Sequence, residues 1–356
     1  MTGICTTYFK DARLAPDGEL SSPGVALVYS HQFPLVLAAA KESPELARLV
    51  SGRFLVIGHF SWCPEDNPSP VGEAQDLKRA GLLHLVMQRV SAGFFHRQGF
   101  APHEIIPLSI GDLVDPAIFR PCGGGKTIDV LAISRLRRWK RLEILIGALA
   151  EIRARTGRKL ICRILDSHRG RVEPDTAREL EALIAREGLG GQVEIGSVPD
   201  ADVPSILSCA RASAVCSAVE GECRAITESL FCDVPVIAMQ GMRGGGIQYL
   251  TDDCGLLTTP ERFADDLLRL VDSSGTYHPR AGVSRVTGRP VAWPRLEAAL
   301  RGYFAATGRP CEGPFCAPEY LKLLKAGTET LTVESLKAHT IREGAPGGRR
   351  AARPDP

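Results

Sequence analysis

Apolar residues follow two alternating periods along most of this chain. The region 126–275 shows the alternation most regularly. The run IDVLAIS (128–134) has strand length. Behind it, Leu142, Leu145, Ile146, Leu149 and Ile152 recur at the spacing of one helical face. A second apolar run at 160–165 precedes a helix opened by Pro174 over 174–188. Further strands are expected at 193–198, 212–217 and 234–239, with helices at 203–210, 225–232 and 260–271. A Gly-rich turn, Gly244–Gly246, follows the strand at 234–239. Strands that alternate with helices at short spacing predict a parallel, doubly wound α/β sheet.

The part before 121 is less regular. It predicts strands at 24–30, 53–60 and 104–111, a helix at 34–50, a Pro-rich loop at 62–72 and mostly helix over 74–95. Three glycines, 123–125, form a natural hinge. Helices are expected over 290–325, beginning near Pro294, and 342–356 reads as a disordered tail of Arg, Pro and Gly. The expected organisation is an N-terminal α/β domain (1–122) and a C-terminal one (126–290). Helices at 291–330 would pack back on the N-terminal domain, and the tail (342–356) would follow.

Composition narrows the function. Charged residues are 24% and hydrophobic ones 44% of 356, which excludes disorder across the whole chain. A net charge of +2 argues against nucleic acid or an anionic membrane as the main partner. No apolar stretch reaches 18 residues, and the N-terminus lacks an apolar signal region. Eleven cysteines without a Cys-x-x-Cys pair form neither a disulfide framework nor a zinc site. A reducing cytoplasm is the expectation. GGGKT (123–127) is not a phosphate-binding P-loop, because Arg120 stands where the first glycine belongs.

Two segments carry candidate chemistry. In VEGECRAITESLFCDVPVIA (219–238), Glu220 and Glu228 stand eight residues apart. That spacing alone means nothing, since four other Glu pairs share it, among them 65/73 and 143/151. Context gives it weight. Glu220 and Gly221 follow a strand, at the sheet edge where open α/β folds bind ligands. Glu228 lies about one turn into a helix whose N-terminal N–H groups suit a phosphate. Carboxylates accept paired hydroxyls, so a ligand with diols and phosphates, a nucleotide sugar, fits both. In SRLRRWKRLEIL (134–145), Arg135 and Lys140 sit at a strand-to-helix turn and could face a diphosphate. Five basic residues at a helix start oppose its dipole unless an anion binds there. Arg137, Arg138 and Arg141 read as solvated.

These pieces resemble the group 1 glycosyltransferases, the retaining GT-B family commonly called family 4. Ser134, Arg135, Leu136 and Lys140 match a Gly/Ser-Arg-Leu-x-x-x-Lys turn. EGECRAITESLFCDVPVIA is similar to the family's EGFGxxxxEAMACGxPVIA element, and GGGIQYLTDDCGLL (244–257) to its Gly-rich turn and following strand. The resemblance spans about 126–275 and implies two Rossmann-like doubly wound domains facing a cleft. It implies that Arg135 and Lys140 neutralise the donor diphosphate, that Glu228 binds ribose hydroxyls and that Glu220 holds a sugar hydroxyl. Backbone N–H groups of Gly221, Glu222, Cys223, Arg224 and Ala225 would cradle sugar and phosphate. The nucleobase would lie beside Gly196, Ser197 and Val198. No metal or other cofactor is implied. Arg224 is either an extra donor contact or a surface residue.

The N-terminal half resembles the family's acceptor side more loosely. FLVIGHF (54–60) puts His59 at a cleft-facing position, where it is either an active-site imidazole or a packed histidine. EIIPLSIGDLVDPAIFRP (104–121) is similar to the exit into the linker, with Gly111 and Asp112 near the cleft. The residues 166–170, DSHRG, depart from the family's Gly-x-Gly-like turn. Two or three strand–helix units normally precede the equivalent of 24–40, but here 23 residues do, so the N-terminal domain is expected to be truncated. A mis-assigned start, a shortened paralogue or a partner chain completing that domain would each account for this.

The reading is therefore a retaining glycosyltransferase. It would move a sugar from a nucleotide-diphosphate sugar to a polysaccharide, lipid or small-molecule acceptor. The alternative is a non-catalytic donor-binding or scaffold relative. Nucleic acid is not an expected partner. Peripheral contact with the inner membrane surface rests on Arg349, Arg350 and Arg353 alone.

Overall fold

The computed structural model describes residues 4–89, 92–166, 174–321 and 329–343. The chain forms two compact units. One combines Met1–Ser109 with Trp293–Pro356, and the other is Ile110–Ala292.

In the first unit, the strands are β1 (Cys5–Lys10), β2 (Ala12–Leu14), β3 (Leu20–Ser22), β4 (Gly24–Tyr29), β5 (Phe54–His59), β6 (Leu85–Met87) and β7 (Ile105–Ile106). β4, β5, β6 and β7 pair in that order, all parallel. Every residue of β4 and β5 is buried, as expected of strands covered on both faces. On the other flank of β4, where a doubly wound sheet would carry further parallel strands, β1 runs antiparallel. The strand Glu329–Thr330 adds antiparallel to β1. A second small sheet joins β3, β2 and the strand Thr340–Arg342.

Several local expectations change here. The helix expected at 34–50 is two, Phe33–Glu42 and Pro44–Arg53. Ser43 precedes a proline and is extended, and its hydroxyl caps the second helix by accepting from Leu46 N at 3.2 Å. The span 74–95 is not mostly helix. The helix Ser69–Arg79 stops before Gly81, which has φ +68, and the buried β6 follows. Periodicity cannot tell a short buried strand from a buried helix. The strand expected over 104–111 is only β7, because Pro107 has no N–H to continue the ladder.

The second unit is a six-stranded parallel sheet. Its strands are β8 (Ile128–Ser134), β9 (Cys162–Asp166), β10 (Val193–Gly196), β11 (Ala210–Val215), β12 (Val236–Met239) and β13 (Gly255–Thr258). Their order is β10-β9-β8-β11-β12-β13. The chain therefore winds outward from β8 on one side and from β11 on the other. The gap between the carboxyl ends of β8 and β11 is the topological switch point, where open α/β sheets bind ligands.

The unit boundary differs from the expected one at 122. Residues 110–122 pack into the second unit. Arg280 donates to the carbonyls of Pro116 and Phe119 at 2.9 and 2.8 Å, and Cys122 N donates to Ser208 Oγ at 3.1 Å. The exposed glycines 123–125 that suggested the hinge come after these contacts. The helix Arg289–Ala306, with Pro294 inside it, carries the chain from one unit to the other. The expected tail begins inside a strand, since Arg342 pairs with Leu14. Residues 344–356 lie outside the described residues, as do 167–170 of the DSHRG segment. No helix among the described residues is long and apolar enough to cross a membrane.

Candidate functional site

β8 leads into a basic turn and then the helix Leu142–Thr156. A short 3₁₀ turn, Arg138–Lys140, is followed by Arg141 in the left-handed region, φ +50. Arg141 Nε donates to the carbonyl of Cys216, just past β11, at 3.0 Å. This folds the turn back across the switch point. The fold-back brings Lys140, just before Arg141, against the loop after β11, where its ammonium lies 2.5 Å from Glu220 Oε1. Ser217 donates its hydroxyl to the same oxygen at 2.5 Å. Both charged side chains are nearly dry, at 11% and 10% exposure.

Backbone contacts hold Glu220 in place. Its N–H donates to Arg243 O at 2.8 Å, and Arg243 N donates to Ala218 O at 3.0 Å. The Gly-rich turn then presses on the Glu220 loop. A Cβ on Gly244, whose φ is +116, would sit 1.7 Å from the carbonyl oxygen of Glu220. Only glycine fits that approach. Gly245 N donates to Gly221 O at 3.0 Å.

Gly221, Glu222 and Cys223 lead into the helix Arg224–Phe231. Cys223 is the Ncap residue, left-handed at φ +39, and forms no side-chain cap. The helix thus starts with backbone N–H groups that no capping side chain covers, a setting suited to an anion. Glu228 is buried one turn in, with Oε1 3.6 Å from the guanidinium of Arg224. Arg224 is half-buried against that carboxylate, so it is not a plain surface residue. Glu222 turns its carboxylate to Ile110 N, at 3.2 Å. All three acids of the segment are thereby engaged. Burial, and then the charge of Glu220, holds the Cys223 thiol well above its usual pKa, so it stays protonated and a poor nucleophile.

The structure brings Lys140, Glu220, Gly221, Cys223, Arg224, Ala225 and Glu228 to one edge of one sheet. Arg135 lies exposed on the same turn as Lys140. Of the other basic residues, Arg138 pairs with Glu179 at 2.6 Å and Arg137 stacks on Trp139. Arg141 is a structural tie, not the solvated residue expected. Gly196 ends β10, with Ser197 exposed and Val198 half-buried behind it. They share the carboxyl edge two strands away, on the order of 10 Å from β8. His59 belongs to the other unit. It ends β5, buried, with Tyr29 edge-on at 5.3 Å. Asp112 lies in the second unit, where it accepts from the hydroxyls of Tyr249 and Thr287.

Sequence reasoning missed Ser217, Tyr249 and Thr287. Each is a lone hydroxyl with no local pattern to mark it. A groove of about 460 Å³ between Arg137, Arg138 and the helix Pro174–Arg186 includes none of the acids at the switch point, so it is not the candidate site. Among the described residues, no group of His, Cys, Asp and Glu could hold a metal ion.

Residues 123–278 match the family model of the group 1 glycosyl transferases. Among solved structures, the chain is similar to Anabaena HepE in complex with UDP and glucose, with a TM-score of 0.61 and 20% identity over 77% of each chain. It is similar to the sucrose-phosphate synthase of Thermosynechococcus elongatus, with a TM-score of 0.56 and 17% identity over 79% of this chain and 74% of that one. It is also similar to S. aureus TarM, with a TM-score of 0.58 and 15% identity over 85% and 66%. At these identities the likeness establishes the fold, the two Rossmann-like units of the GT-B architecture. No curated protein matches the chain in sequence.

Proposed function

We propose, for a chain whose residues 123–278 match the family model of the group 1 glycosyl transferases, a retaining transfer of a sugar from a nucleotide-diphosphate sugar to a hydroxyl acceptor. One observation carries the reading. The buried Lys140–Glu220 pair spans the switch point beside the uncapped start of the helix Arg224–Phe231.

The donor diphosphate lies over that helix start, where backbone N–H groups and the dipole favour negative charge. The hydrogen bond to Glu220 takes one of the three N–H donors of Lys140. The others turn to the phosphate oxygens as the diphosphate leaves. Arg135 adds its fork from the same turn. Positive charge placed where negative charge develops is often the largest catalytic contribution. Glu220 accepts from a sugar hydroxyl through Oε2, since both contacts within the protein fall on Oε1. Glu228, steadied by Arg224, accepts the ribose hydroxyls, and the base lies toward Gly196–Val198. The two cations supply the charge this step needs, so the reading calls for no metal. Its setting is the cytoplasm, on the evidence of cysteine usage. The acceptor is a polysaccharide, a lipid or a small molecule, and His59 of the other unit is the candidate acceptor-side residue.

HepE is similar in fold and was solved with UDP, so UDP is the first nucleotide to test. Calorimetry with UDP, and release of UDP from a panel of UDP-sugars, check the reading. Lys140→Ala and Glu228→Ala should each abolish turnover. UDP binding without turnover of any donor would instead mark a donor-binding scaffold.

A further inference from the structure

We propose that Glu222 is a positioning residue, one that ties the donor loop to the point where the chain enters the second unit. Donor binding is thereby coupled to the ordering of residues 110–115. This rests on the glycosyltransferase reading above.

The choice of residue is itself informative. Glu222 lies between Glu220 and Glu228, beside the helix start assigned to the diphosphate. A third carboxylate there repels a diphosphate unless it is directed elsewhere. The structure directs it elsewhere: Glu222 Oε1 accepts from Ile110 N at 3.2 Å. Ile110 is the first residue of the second unit.

A second tie runs in parallel. Tyr249 ends the 3₁₀ turn Ile247–Tyr249, directly behind the Gly-rich turn that presses on Glu220. Its hydroxyl donates to Asp112 Oδ1, which also accepts from Thr287 at 3.2 Å. Asp115 pairs with Arg289 at 2.9 Å, and Arg289 N donates to Val114 O at 2.8 Å. Thr287 and Arg289 come just before the chain leaves the unit, after Ala292. The segment 110–115 is thus bonded to both loops of the proposed donor site and to residues 287–289 near the unit's exit. Glu222 supplies the link from the 220–223 loop.

The test compares Glu222→Ala with Glu222→Gln, whose amide oxygen still accepts from Ile110 N. Donor KM, kcat and UDP affinity are measured, together with amide hydrogen exchange over 110–115. Glu222→Ala should raise donor KM about tenfold while kcat stays within about threefold, the loss of one hydrogen bond to a charged acceptor. Glu222→Gln should recover most of that. UDP should slow exchange at 110–115 in the wild type and fail to do so in Glu222→Ala. The proposal is overturned if Glu222→Gln is as impaired as Glu222→Ala, since charge and not the tie would then matter. It is equally overturned if UDP binds the wild type and leaves exchange at 110–115 unchanged. If the wild type binds neither UDP nor any UDP-sugar, the glycosyltransferase reading falls and the coupling with it. In that case, faster exchange at Ile110 in ligand-free Glu222→Ala would still report the bond itself.

Discussion

Lys140 and Glu220 are 80 residues apart in sequence, yet their charged groups meet at 2.5 Å across the switch between β8 and β11. A buried ion pair adds little net stability, but breaking it is costly because one charge is left dry and unmatched. Lys140→Met alone should destabilise the second unit by about 3–5 kcal/mol. The double variant Lys140→Met/Glu220→Gln removes both charges and keeps an acceptor for Ser217. It should recover most of that stability in urea titrations and still turn over no donor. A single variant as stable as the wild type would show that the pair is not closed in solution.

Gly244 tests the loop that supports Glu220. Any side chain at 244 must move the backbone carbonyl of Glu220. Gly244→Ala should cost about 2–3 kcal/mol through overpacking and a left-handed backbone. It should also weaken UDP binding by more than about tenfold. Calorimetry on the folded variant separates the two. Unchanged UDP affinity would detach the Gly-rich turn from the site.

Much of the second unit was legible because its signals are local. The run 128–134 became β8 with the same limits, and the apolar positions from Leu142 to Ile152 form the buried face of one helix. Lys140, Glu220 and Glu228 each stand out in the sequence at a strand-to-helix turn, and the structure places all three at one sheet edge. Their contacts were not legible, since Arg224 over Glu228 and Arg141 on Cys216 depend on how turns fold back. Long-range pairing was invisible for the same reason. Cys5 opposite Thr330 and Ala12 opposite Thr340 leave no periodic trace, so β1, β2 and β3 went unread. β6 was lost because three buried apolar residues fit a helix as well as a strand.

His84 should make the first unit sensitive to acid. Its Nδ1 accepts from Val56 N at 3.1 Å, which fixes the neutral ring with the proton on Nε2. Burial, and then the charge of Arg309, push its pKa from 6.5 down to about 4. The unfolded chain therefore binds a proton that the folded one resists. The stabilisation is complete above pH 6.5 and is lost as pH falls from there toward 4. Between pH 7 and 5 the loss should be about 2 kcal/mol. His84→Asn keeps an acceptor for Val56 and cannot titrate, so its urea midpoint should lose this slope. An identical slope in both proteins would acquit His84.

His339 holds residues 329–343 to the N-terminal strands. Its Nδ1 lies 2.6 Å from Asp11 and its Nε2 3.1 Å from Glu329, and its ring stacks on Tyr8 at 3.8 Å. Removing the imidazole leaves Asp11 and Glu329 without the group between them. His339→Ala should destabilise the first unit by about 2–3 kcal/mol, the scale of a charge-assisted hydrogen bond lost with an acceptor left behind. Limited proteolysis should then cut faster between 329 and 343. Cleavage at the wild-type rate would assign the hold to strand pairing alone.

The two units differ in how a ribosome can deliver them. The second is one unbroken stretch, Ile110–Ala292, and has all its strands once that stretch has emerged. The first is interrupted. β1 gains its outer neighbour only from Glu329–Thr330, and β2 is paired on one side by Thr340–Arg342. During synthesis, β1 and β2 emerge about 320 residues before those partners, and unpaired edges are where nascent chains mispair. The N-terminal strands therefore have to be sheltered through the making and folding of everything between. Force profiling with arrest peptides should record a folding event for the second unit well before one for the first. A premature stop ahead of 329 would then release a chain with a finished second unit and a permanently open edge in the first.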